Sequence, residues 1–141
     1  MDKEKMVENI RKSLREFAEG QNDYSLIMLI PSEPYSLKNT KWSLIISAPW
    51  LDKKSHKETL RKLYSLLRKT IPSIELNRLS RISLIKSNDA FVRSVTSEFN
   101  VPDGLKDINN SVINGIQIDK AYILRAQNFE HSESIGESWP L

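Results

Sequence analysis

A chain of 141 residues with 39% hydrophobic and 28% charged residues is long enough for one globular domain and too apolar to stay disordered. It contains no cysteine, which excludes disulfide staples, thiolate catalysis and Cys-ligated zinc. Its net charge of +3 hides an asymmetry: from Tyr35 to Lys86 there are 12 Lys or Arg against three acids, Asp52, Glu58 and Glu75, while the flanks on either side are acidic on balance. A basic middle of this kind attracts phosphates, acidic proteins or anionic lipid, or is neutralised by the chain's own ends.

The opening MDKEKMVENIRKSLREF interleaves acids with bases and has no apolar core segment, so it does not read as a secretory signal. Residues 3–19 read as an amphipathic helix, with Val7, Ile10, Leu14, Phe17 and Ala18 at spacings of three and four and Gly20 as the stop. An Arg15–Glu19 pair is expected on its outer side. Two strands follow, Tyr24 to Ile30 and Lys41 to Ala48, each ended by a proline. The first is apolar on both faces, as expected of a central strand covered on both sides. In the second, Trp42, Leu44, Ile46 and Ala48 share one face. The ten residues between them, PSEPYSLKNT, are expected to form an exposed loop. The densest apolar run, Leu26 to Ile30, is far short of the ~20 residues that span a bilayer. A soluble cytoplasmic protein without a membrane partner is therefore expected.

Asp52 to Thr70 is the clearest helix, with Leu60, Leu63, Tyr64, Leu67 and Ile71 on one stripe and Lys54, Lys57, Arg61 and Arg68 on a ridge of the solvent side. Leu79 to Lys86 reads as a third strand, and Ser87-Asn88-Asp89 as the cap of a short helix ending at Phe99. Pro102-Asp103-Gly104 marks a turn. Ser111 to Ile118 carries a hairpin signal at Asn114-Gly115, because a type I′ turn needs two residues that tolerate positive φ. The second arm is expected to continue to Leu124. Residues 128–141 are polar, acidic and Ser-rich without periodicity, the pattern of a mobile tail.

The order α-β-β-α-β-α-β-β implies a single α+β domain over residues 1–127, with a mixed, mostly antiparallel sheet of four or five strands and packed helices. A helix crossing over between the second and third strands makes that pair parallel. Their loops then meet at one sheet edge, residues 48–56 and 86–93, where α/β sheets bind ligands. Trp50, Asp52, Lys53, His56, Lys86, Ser87 and Asn88 are the candidates there for a ligand or anion site, since helix N-termini and lysines favour negative charge. The same residue types also serve simply as helix caps and solvated charges.

The second candidate is a basic contact face of Lys54, Lys57, Arg61, Lys62, Arg68 and Lys69, suited to tracking a phosphate backbone. No helix-turn-helix spacing, KH loop, RRM signature or zinc knuckle accompanies it. Ser47, Asp52 and His56 supply the residue types of a catalytic triad, but no GxSxG elbow is present and sequence spacing does not set triad geometry. With two distant histidines, four glycines and no HExxH, DxDxDG or Walker A pattern, neither a metal nor a cofactor is expected.

The reading is a non-catalytic binding domain that uses its basic surface, residues 53–86, for an acidic protein partner or nucleic acid. The alternatives are a small enzyme or ligand-binding domain using the sheet-edge loops, and a homo-oligomer in which the acidic part of one copy covers the basic part of another.

Overall fold

Alternating and helical patterns resolve into one five-stranded sheet with helices on both faces in the computed structural model, which describes residues 3–18, 20, 24–32, 40–102 and 104–127. The elements in chain order are α1 (Lys3–Ala18), β1 (Leu26–Pro31), β2 (Trp42–Ser47), a 3-10 turn (Pro49–Leu51), α2 (His56–Thr70), α3 (Ser73–Leu76), β3 (Leu79–Leu84), α4 (Ala90–Glu98), β4 (Lys106–Ile113) and β5 (Ile116–Ala126). The sheet order is β3-β2-β1-β5-β4. Only β2 and β3 run parallel, linked by the α2 crossover; the other pairs are antiparallel. This is the expected mixed α+β sheet.

The apolar character of β1 is explained by its place at the centre. Ile27 and Leu29 join the core beneath α1 and α2, whereas Leu26 and Met28 join a second core beneath α4. On the first face, Val7, Ile10 and Leu14 of α1 and Leu63 and Leu67 of α2 pack onto Leu44, Ile46 and Leu124. On the second, Val92 and Val95 of α4 meet Ile108 and Ile123. The buried stripe of α2 is rotated from the expected one toward Thr59: Leu60 and Tyr64 are half-buried, and Thr59 is buried with Leu63 and Leu67.

Several boundaries differ from expectation. The α2 helix starts at His56 rather than Asp52, because Pro49 opens a separate 3-10 turn and Ser55 supplies the cap, accepting from the Glu58 N–H. Lys54 therefore lies in the preceding turn and not on the helix. The β4 strand begins at Lys106, five residues before the expected arm, and β5 reaches Ala126. Asn114 and Gly115 adopt φ of 52° and 75°, as the hairpin turn requires. Asn110, also left-handed at 48°, breaks the alternation of β4, so Ile108 and Ile113 both reach the second core. The Arg15–Glu19 pair, most of the loop after Ser32, Asp103 of the expected turn and the tail 128–141 lie outside the described residues. Among the described residues, no helix is long and apolar enough to cross a membrane.

One buried polar contact locks α1 to the sheet: the Tyr24 hydroxyl donates to the Leu14 carbonyl at 2.6 Å. Burial pushes the Tyr24 phenol well above its ordinary value, opposed in part by the charge of Arg125. The unfolded chain ionises its tyrosines near pH 10, while folded Tyr24 stays neutral. Its contribution is thus complete below about pH 10 and lost as pH rises above it, by up to about 1.4 kcal/mol per unit. Urea midpoints between pH 9 and 11 are expected to fall more steeply for the wild type than for Tyr24→Phe. Parallel slopes would count against this role.

Candidate sheet-edge site and basic face

The two loops that leave the parallel pair do meet. Beyond β3, the Ile85 N–H donates to the Ile46 carbonyl at 3.0 Å. Asp52 then reaches across 35 residues of sequence, taking the Ser87 N–H at 2.9 Å on one carboxylate oxygen and the Ser87 hydroxyl on the other. Asp52 is therefore a clamp between two loops and not the cap of α2, which corrects the capping role considered from sequence. The cap of α4 is Asp89, accepting from the Phe91 N–H at 2.8 Å.

This arrangement decides what the edge offers an anion. The Ser87 N–H is taken by Asp52, the Glu58 N–H by Ser55 and the Phe91 N–H by Asp89. Lys53, His56, Lys86 and Asn88 are exposed around the loops, and Ser87 is half-buried. Trp50 is half-buried in an aromatic group, 6.0 Å from the Phe17 ring and 5.6 Å edge-on from Tyr24, and its indole N–H is buried without a hydrogen-bond partner. Ser47 is buried with its hydroxyl unpartnered, while Asp52 bonds Ser87. Ser47, Asp52 and His56 thus form no hydrogen-bonded relay. Among the described residues, no three His, Asp or Glu side chains are grouped to hold a metal.

Removing the clamp has a measurable cost. Asp52→Ala leaves the Ser87 N–H without its acceptor in a partly buried place, a loss of about 1–3 kcal/mol. Asp52→Asn keeps a carbonyl acceptor and is expected to lose less. Urea denaturation of both variants checks this, and equal stability of Asp52→Ala and the wild type would contradict the clamp.

The basic face is built by α2 and the turn before it. Its buried side is fixed by Leu63 and Leu67, so the 3.6-residue repeat turns Lys57, Arg61 and Arg68 outward. Lys54, Lys57, Arg61, Lys62, Arg68 and Lys69 are all exposed, and none of their side chains makes a hydrogen bond or ion pair to another described residue. From Lys41 to Lys86, ten of the basic residues are exposed.

The acids of the same region are withdrawn. Glu75 is buried in α3 and accepts from the Asn9 side chain at 2.9 Å, and Asp52 is engaged with Ser87. Only Glu58 stays exposed. It borders a cleft of about 420 Å³ between α1 and α2, with Glu16, Lys54 and Lys62 on its walls. Glu16 and Glu58 therefore offset part of the positive charge at this cleft.

Sequence spacing missed a second basic group. Arg11, Arg15 and Arg125 line a cleft of about 410 Å³ beside Tyr24. Arg125 is held by the Tyr24 carbonyl at 3.1 Å, the Pro102 carbonyl at 2.8 Å and the Gln127 side chain at 2.7 Å. Only the i,i+4 spacing of Arg11 and Arg15 was visible along the chain; the third member comes from the far end of the sheet.

No family model, no characterised protein and no solved structure matches this chain.

Proposed function

We propose that this protein is a non-catalytic nucleic-acid-binding domain that engages the phosphate backbone through α2. The observation carrying this reading is the row of six exposed cations from Lys54 to Lys69, unpartnered among the described residues, with Glu58 the one exposed acid between them. Lys57 and Lys69 are twelve residues apart on the helix, roughly 18 Å along its axis. That length matches about five nucleotides of one duplex strand at 3.4 Å each.

Nucleic acid is favoured over an acidic protein by the composition of the face. Protein interfaces carry an apolar or aromatic centre and are poor in lysine, and nucleic-acid interfaces are more positively charged. On α2 the apolar side chains are turned toward the core, with only Leu60, Tyr64 and Leu66 half-buried at its margins. The face therefore offers charge without an apolar centre, and phosphates recognised by charge alone carry no sequence information. Binding without marked base preference follows. Fluorescence anisotropy with a labelled duplex at low salt tests the reading. Saturable binding is expected, and no binding at the lowest salt overturns it, leaving an acidic protein as the occupant to test next.

A further inference from the structure

Arg11, Arg15 and Arg125 take no part in the α2 face. We propose that the cleft they line, between α1 and β5, is a binding site for a small organic phosphate monoester, separate from that face. Its placement, its preorganisation and its charge carry this.

The packing of α1 sets the placement. Val7, Ile10 and Leu14 turn toward the sheet. Phe17 lies on the flank of that stripe that meets α2, where it lines the other cleft with Trp50 and Lys62. The helical repeat puts Arg11 and Arg15 on the opposite flank, beside Leu124 and Arg125 of β5. In the sheet, β5 lies on the far side of β1 from the two strands that α2 connects. The body of α1, about 10 Å across with its side chains, thus separates this cleft from α2.

Arg125 is held ready for a ligand. Of its five N–H donors, the one on Nε goes to the Tyr24 carbonyl, and one from each terminal nitrogen goes to the Pro102 carbonyl and the Gln127 side chain. These bonds fix the plane of the guanidinium and leave one N–H on each terminal nitrogen. All three acceptors are neutral oxygens, so they do not cancel its charge. A fork fixed in advance gives up less freedom on binding. Arg15 is exposed and makes no hydrogen bond or ion pair to another described residue. Among the described residues, no acid lines the cleft. Guanidinium groups pair with phosphate and carboxylate oxygens alike. A phosphate monoester brings a charge of about −1.5 to −2 and three acceptor oxygens, which suits cations converging from α1 and β5 better than the single charge of a carboxylate. The volume of about 410 Å³ falls within the range of small-molecule sites and leaves room for an organic group against Tyr24 and Ile27.

Titration of the full chain with phenyl phosphate at low salt, followed by NMR at the Arg125 Nε–H and the Leu124 amide, tests the proposal. A saturable shift is expected. Arg15→Gln should bind about tenfold more weakly, the loss of one charge-assisted hydrogen bond. The Arg61→Glu, Arg68→Glu variant should bind phenyl phosphate as the wild type does, and a duplex should not displace it. Benzoate, which carries a carboxylate on the same ring, should bind more weakly. No saturable shift, or an affinity untouched by Arg15→Gln, would overturn the site. Benzoate binding as tightly as phenyl phosphate would overturn the assignment to phosphate esters. Displacement by the duplex, or loss of binding in the α2 variant, would overturn the separation from the nucleic-acid face. A chain that binds phenyl phosphate at these signals but binds no duplex would sink the α2 reading and leave this site standing.

Discussion

Replacing Arg61 and Arg68 together by Glu is expected to abolish duplex binding at low salt while leaving the fold intact. Both side chains are exposed on α2 and make no hydrogen bond or ion pair with another described residue. Their reversal therefore removes no packing, and surface changes of this kind stay within about 0.5 kcal/mol of wild-type stability. The effect on binding is far larger. Two phosphate contacts become repulsions on the exposed side of the helix. The control is Lys106→Glu, an exposed cation on β4 outside the basic region. Lys120 is unsuitable as a control, since it donates to Asp107 at 2.7 Å and to Asn109 at 3.2 Å and holds the β4–β5 hairpin. Anisotropy of the two variants side by side separates a defined face from generic charge. Equal losses in both would show that no face exists.

The second large effect lies in the core. Leu63 is 0% exposed at the contact of α2 with the sheet, so Leu63→Ala removes buried methyl groups and leaves a cavity. A loss of about 2–5 kcal/mol is expected, measured by urea denaturation. A loss below about 1 kcal/mol would mean that the helix is not anchored through this residue. The outward direction of Arg61 and Arg68 would then lose its basis, because the buried stripe of α2 sets the position of the ridge. The two variant sets therefore test opposite sides of one helix.

How much of this was legible in the chain depends on the range of the interaction. The central place of β1 was legible because Leu26 to Ile30 offers apolar side chains to both faces, and both are covered. The parallel pairing of β2 with β3 followed from the helical pattern between them, and the hairpin from Asn114-Gly115. The start of β4 was hidden because Lys106, Asp107, Asn109 and Asn110 are poor strand formers, and Ile108 is the one buried side chain among them. The role of Asp52 was misread for a different reason. Local rules favour an Asp near a helix start as a cap, and nothing in the neighbouring sequence announces a partner 35 residues away. Ser55 has the same capping chemistry and sits directly before His56. The basic ridge was legible from the helical repeat, apart from Lys54, which the 3-10 turn at Pro49 removes from the helix. The withdrawal of Glu75 and Asp52 from the same surface was not legible, because it depends on Asn9 and Ser87, far away in the chain.

The salt dependence of duplex binding tests the central claim most directly, since a phosphate-tracking face releases one set of counterions for each contact it makes. If six cations each neutralise one phosphate, the logarithm of the association constant falls with the logarithm of salt at a slope of about −5. The Arg61→Glu, Arg68→Glu variant should show no measurable binding from which to draw a slope. A steep linear fall for the wild type is the result this account predicts. A slope near zero, or no binding at the lowest salt, would contradict it.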